Sequence, residues 1–127
     1  MKTIVFLTLI QLGVILFANG QDTTLNDKQR QSITNLIDQY SLAREKSDTT
    51  LLKTILTANV DQLVSNGEWR EGMGAAISGM LRSSAGTPGK RTLSVYKIQL
   101  LNATSAIVDC RYEIENADGT TRKMWST

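Results

Sequence analysis

A chain of 127 residues, 41% hydrophobic and 20% charged, has the size and balance of one globular domain with one core, and is too short for two. Its 14 basic and 12 acidic side chains leave a formal charge of +2 with no run of Lys or Arg to track a phosphate backbone, which argues against nucleic acid as a partner. There is no histidine and one cysteine, so a Ser-His-Asp or Cys-His catalytic arrangement, an imidazole metal site and a disulfide framework are all excluded; no metal or cofactor is implied.

The first twenty residues read as a signal peptide. Lys2 supplies a positive start, residues 3–17 are apolar, and Ala18-Asn19-Gly20 places small residues at a cleavage site, expected before Gln21. The apolar run is interrupted by Gln11 and is shorter than the roughly 20 residues a membrane span needs. The expected mature domain, residues 21–127, is therefore secreted or periplasmic and carries no membrane anchor once the signal is removed.

Residues 24–46 predict one amphipathic helix capped by Thr24 or Asn26. Ile33, Leu36, Ile37, Tyr40 and Ala43 form its apolar stripe, while Asp27, Lys28, Arg30, Asp38, Arg44 and Glu45 fall mostly elsewhere. Ser47-Asp48 then caps a shorter helix through Leu56 whose buried side is Leu51, Leu52, Ile55 and Leu56. Residues 61–72, DQLVSNGEWREG, predict a hairpin whose Asn66-Gly67 dipeptide suits a two-residue turn. A glycine-rich helix over residues 72–84 follows, and then a loop at residues 85–89 that lacks the Lys-Ser/Thr pair of a phosphate cradle.

The remainder predicts a strand meander. In residues 91–101 the alternation shifts between Val95 and Tyr96, which calls for a bulge. After a turn at residues 102–105, Ala106, Val108, Cys110, Tyr112 and Ile114 alternate with charged residues, which turns Cys110 inward as a small buried hydrophobe. Asn102-Ala103-Thr104 also fits the N-glycosylation pattern. A second turn at residues 117–119 leads to a strand with Met124 and Trp125 on opposite faces, and the chain stops there in mid-strand, which reads as a missing segment.

Carboxylates, Tyr, Lys and Arg are the chemistry that remains. Among Asp61, Asp109 and Glu113 the last two lie on the polar face of their strand, so Asp61, sharing a side with Leu63 and Ser65, is the catalytic candidate. Arg70 is placed to pair with Asp61 or clamp a ligand carboxylate, Trp69 to wall a pocket, and Tyr40 to point into one; with Asp61 they form the candidate ligand-binding set.

The order of elements, together with YSLAREKSD (40–48), DQLVSNGEWREG (61–72), RTLSVYKIQLL (91–101) and AIVDCRYEI (106–114), resembles the SnoaL-like branch of the nuclear transport factor 2-like superfamily. It is most similar to small exported members of unassigned function, and the likeness spans residues 25–127. What the resemblance implies is an α+β cone, with a bent mixed or antiparallel sheet wrapped round the long N-terminal helix. It also implies a pocket at the open end and a homodimer through the outer sheet face. Family enzymes use an Asp or His at the pocket floor, and family members carry one more strand, between hairpin and meander, that this sequence lacks. The leading expectation is a non-enzymatic domain binding a small apolar or amphipathic molecule. The alternatives are a cyclase or isomerase using Asp61 with Tyr40 or Arg70, and a dimerisation module. An inward Asp61 bonded to Tyr40 or Arg70 marks the enzyme; an Asp61 in solvent removes that reading.

Overall fold

The computed structural model describes residues 24–86 and 89–127; the expected signal peptide and cleavage site lie outside them. The long helix α1 (Asp27–Glu45) is opened by a capping box: the Asn26 side chain accepts from Gln29 N at 2.9 Å, and Asn26 N donates to Gln29 Oε1 at 3.1 Å. It ends with Ser47 in the left-handed region (φ 52°), where Ser47 N donates to Arg44 O and Asp48 N donates to Ala43 O. Asp48 then caps α2 (Thr49–Ile55) by accepting from Leu51 N at 2.9 Å. One helix thus stops and the next starts within three residues, which keeps the two in contact.

The hairpin consists of β1 (Asp61–Leu63) and β2 (Trp69–Glu71). Its turn differs from the expected two-residue form. Val64 N donates to Glu68 O and Gly67 N to Val64 O, and only Gly67 takes positive φ (84°), so the loop has three residues with glycine in the left-handed place. Asn66 contributes through its side chain, which accepts from Glu68 N, and its backbone stays at negative φ.

Helix α3 (Gly72–Gly86) packs on the hairpin and on both other helices. The meander is β3 (Lys90–Asn102), β4 (Ser105–Glu115) and β5 (Thr121–Ser126), antiparallel in the order β3-β4-β5. Its register slips between Val95 and Lys97, at the expected bulge, and again between Leu100 and Asn102. The extra residues bend β3 across α1. Among the described residues the hairpin and the meander are separate sheets, and β5 pairs with β4 alone.

Two interiors of different character result. Ala43, Leu52 and Met80 are buried where the three helices meet, with Leu51, Ile55, Leu56 and Ile77 packed around them. On the inner face of the meander only Cys110 and Ile114 are buried among the hydrophobic residues, and the rest of that face borders open space. The small tight core holds the helices together and leaves the sheet free to wall a cavity.

Polarity at the hairpin is the reverse of the expected. Asp61, Leu63 and Trp69 face out, with Leu63 and Trp69 more than half exposed, while Gln62 and its cross-strand partner Arg70 face in. Gly79 explains this: a Cβ there would land on Nε and Cζ of Arg70, so the bare glycine of α3 makes the slot in which the guanidinium lies. The long arginine stem buries well against a helix, and its charged end is held by Glu68 at 3.3 Å.

Gly79→Ala is expected to destabilise the protein by about 1 kcal/mol net, since overpacking at about 1–3 kcal/mol outweighs the gain of about 1 kcal/mol in helix propensity. With Arg70→Ala already present the same change becomes stabilising. Urea unfolding of both single variants and the double variant reads this coupling, and simple additivity refutes it. Glu68 sets an acid limit. The hydrogen bond from Arg70 holds its carboxyl below the usual glutamate value against a smaller opposing effect of desolvation, and the charges of Arg70 and Arg82 add to the lowering. A folded-state pKa below the unfolded one stabilises above the unfolded value, near about pH 4.3, and that contribution is lost as pH falls through the folded value. The stability gap between wild type and Glu68→Gln, followed by thermal melts on acidification, is expected to close in that window.

Candidate functional site

A cavity of about 840 Å³ lies between α1, the hairpin and the inner face of the meander. Strand alternation sets its apolar wall: Val108, Cys110, Tyr112 and Ile114 from β4, Leu93 from β3 and Met124 from β5 all project to one side, and Ile37 of α1 faces them. One polar cluster gathers where α1, α3 and β1 converge, and Asn66, Arg91, Arg122 and Ser126 place further polar groups round the lining.

Arg44 is the centre of that end. It lies four residues beyond Tyr40, one helical turn along the same face, rather than on the solvent side expected for it. Arg44 Nη1 donates to Tyr40 Oη at 3.2 Å and Nη2 donates to Ser83 Oγ of α3 at 3.2 Å. Its guanidinium carbon stands 5.8 Å from the ring centre of Tyr40 and 6.0 Å from that of Tyr112, within cation–π range. Burial works against its charge, but Tyr40, through its charge interaction and hydrogen bond, and then Tyr112 outweigh burial, so its pKa lies above the ordinary arginine value. Tyr40 Oη also accepts from Gln62 Nε2 at 3.2 Å, which ties the hairpin to α1. Below this group Ser83 O accepts from Arg91 Nη2 at 3.2 Å, so two guanidiniums bracket one serine.

The four residues expected to form the site are dispersed. Tyr40 reaches the cavity and is bonded within it. Arg70 lines it from a buried position, engaged with Glu68. Asp61 sits exposed at the rim, with neither Tyr40 nor Arg70 as hydrogen-bond partner, and Gln62 takes the inward place. Trp69 lies on the outer side of the hairpin, off the cavity wall. Arg44, Gln62 and Ser83 were missed. The four-residue spacing of Tyr40 and Arg44 was the available signal for the first, whereas Gln62 and Ser83 depend on how the hairpin and α3 dock.

Cys110 is buried in the wall. Burial, and after it the neighbouring Asp109 carboxylate, push its thiol pKa up, so it stays protonated and inert at neutral pH. Among the described residues no group of three or more His, Cys, Asp or Glu converges to hold a metal ion, and no helix is long and apolar enough to cross a membrane. A second, shallower groove of about 610 Å³ runs between the first half of α1 and the β3-β4 turn, lined by Ile33, Leu36, Leu100 and Ala106. Ile37 and Val108 border both spaces.

No family model and no curated protein matches the chain in sequence. Solved structures do match in shape. A nuclear transport factor 2-like protein of unknown function from Shewanella oneidensis superposes with a TM-score of 0.61 at 17% identity, over 76% of this chain and 81% of that one. The protein Aln2 from a Streptomyces species superposes with a TM-score of 0.63 at 10% identity, over 79% of this chain and 75% of that one. Identity this low speaks to architecture alone, and the architecture agrees with the helix order, the bent meander and the cavity they enclose: the chain has the nuclear transport factor 2-like fold.

Proposed function

We propose that this is a binding domain for a small apolar or amphipathic molecule, exported after removal of residues 1–20 and without catalytic activity of its own. The observation that carries the reading is the cavity of about 840 Å³, a volume typical of small-molecule sites, with an apolar wall from the meander and a polar cluster at Arg44, Tyr40 and Gln62. The cyclase or isomerase reading depended on an inward Asp61. With Asp61 exposed at the rim and Gln62 in the inward place, no carboxyl among the described residues stands inside the cavity in position to move a proton, and that reading is set aside. A cavity filled by Met80, Tyr112 and Trp69 would favour a pure interaction module; here Tyr112 lines the cavity, Met80 belongs to the helical core and Trp69 lies outside, so the space stays open.

A specific observation also favours self-association. On the outer face of the meander Tyr96 (72% exposed) and Trp125 (59% exposed) pack edge to face at 5.0 Å, and Arg111 lies 5.2 Å over Trp125. Aromatic rings and arginine grouped on an exposed sheet are the residue types that anchor interfaces. In this reading two copies pair through that face, which leaves both cavities open.

Wild-type protein is expected to bind the neutral dye Nile red saturably, and Val108→Trp, which fills the cavity from its central wall, to weaken that binding roughly tenfold or more while circular dichroism stays unchanged. Failure of wild type to bind the dye, or unaltered binding by the variant, refutes the cavity reading. Sedimentation equilibrium tests the second proposal. A dimer that Tyr96→Ser combined with Trp125→Ser converts to monomer is expected; a monomeric wild type overturns it.

A further inference from the structure

We infer that the molecule held in this cavity carries an anionic head, a carboxylate or an oxyanion of similar shape, seated on Arg44 with Tyr40 and Gln62. The inference rests on the cavity-binding reading above and specifies its ligand.

The argument starts from an unbalanced charge. Arg44 Nη1 and Nη2 donate to hydroxyl oxygens, those of Tyr40 and Ser83, and neither hydroxyl is an anion. Among the described residues no carboxylate pairs with Arg44, and its Nε is buried without an acceptor. A guanidinium half withdrawn from water, its Nε fully so, and given hydroxyl partners alone is an incomplete arrangement, and its cost is offset when an anion arrives.

Tyr40 points the same way. Its oxygen accepts from Arg44 Nη1 and from Gln62 Nε2, both at 3.2 Å, and no acceptor for its own proton lies among the described residues. A phenol that accepts from a cation is a stronger donor in its turn, so the proton of Tyr40 is available to an acceptor brought by a ligand. The wider wall leans the same way: Arg91 and Arg122 also border the cavity, as does Arg70 in its pair with Glu68, against the single acidic side chain of Asp61 at the rim. A cationic head is repelled by this wall, and a neutral one leaves Arg44 unanswered. The hydrocarbon part of the ligand runs along the opposite side, on Ile37, Leu93 and Val108.

Displacement of Nile red by decanoate and by decanamide, which share chain length and differ in head charge, tests this on the wild-type protein. Decanoate is expected to compete about tenfold or more better, the worth of a charge-assisted hydrogen bond. Arg44→Gln is expected to remove that preference while still binding the dye, which shows the cavity intact; Tyr40→Phe is expected to reduce it severalfold with no effect on decanamide. Equal competition by the two on wild type overturns the inference and leaves the cavity reading standing, as does a preference that survives in both variants. Failure of wild type to bind the dye at all overturns both.

Discussion

One guanidinium joins four elements of this fold. Arg44 rises from the last turn of α1, donates to Tyr40 on its own helix and to Ser83 on α3, and lies beside the ring of Tyr112 on β4; through Tyr40 the contact extends to Gln62 on β1. A half-buried cation whose Nε is cut off from water tolerates few geometries, because each N–H withdrawn from water must meet an acceptor or leave its desolvation uncompensated. That demand restricts how α1, α3 and the hairpin approach one another at the base of the cavity. The helical core of Ala43, Leu52 and Met80 is too small to impose this by packing alone.

The cavity follows from the same division of labour. Apolar residues of the helices are spent on one another, and the bulged, bent meander presents its inner face to a space that no side chain fills. A face with Leu93, Val108 and Ile114 on it would ordinarily be closed by a helix or a further strand. Here it meets α1 along one line only, and arginines border much of what remains. Such a wall is costly when nothing complements it, and this is the feature on which the binding proposal rests.

Gly79 and Arg70 show how one small residue redirects a whole hairpin. With period-two alternation, choosing which residue of a strand faces inward chooses all of them. Arg70 enters the slot left by Gly79, so Gln62 opposite it faces inward, and Asp61, Leu63 and Trp69 face solvent. Hydropathy predicts the opposite choice, since Leu63 and Trp69 are the apolar members. The reversal removes the one carboxylate that suggested acid-base chemistry and substitutes an amide that bonds Tyr40.

Helix limits, capping by Asn26 and Asp48, the bulge after Val95, the inward Cys110 and the α+β order were legible in the sequence because each depends on residues a few positions apart: caps, turns and alternation are local effects. The hairpin was legible in place but not in turn type or facing, and of the candidate site Tyr40 and Arg70 reach the cavity, Asp61 only its rim, and Trp69 not at all. The convergence of Arg44, Gln62 and Ser83 joins positions 18 to 39 residues apart, and no periodicity within any one element encodes it. By itself the sequence determined the elements and their order. Tertiary structure decided which faces meet, because that choice rests on a glycine slot in α3 and on the partners a half-buried guanidinium requires.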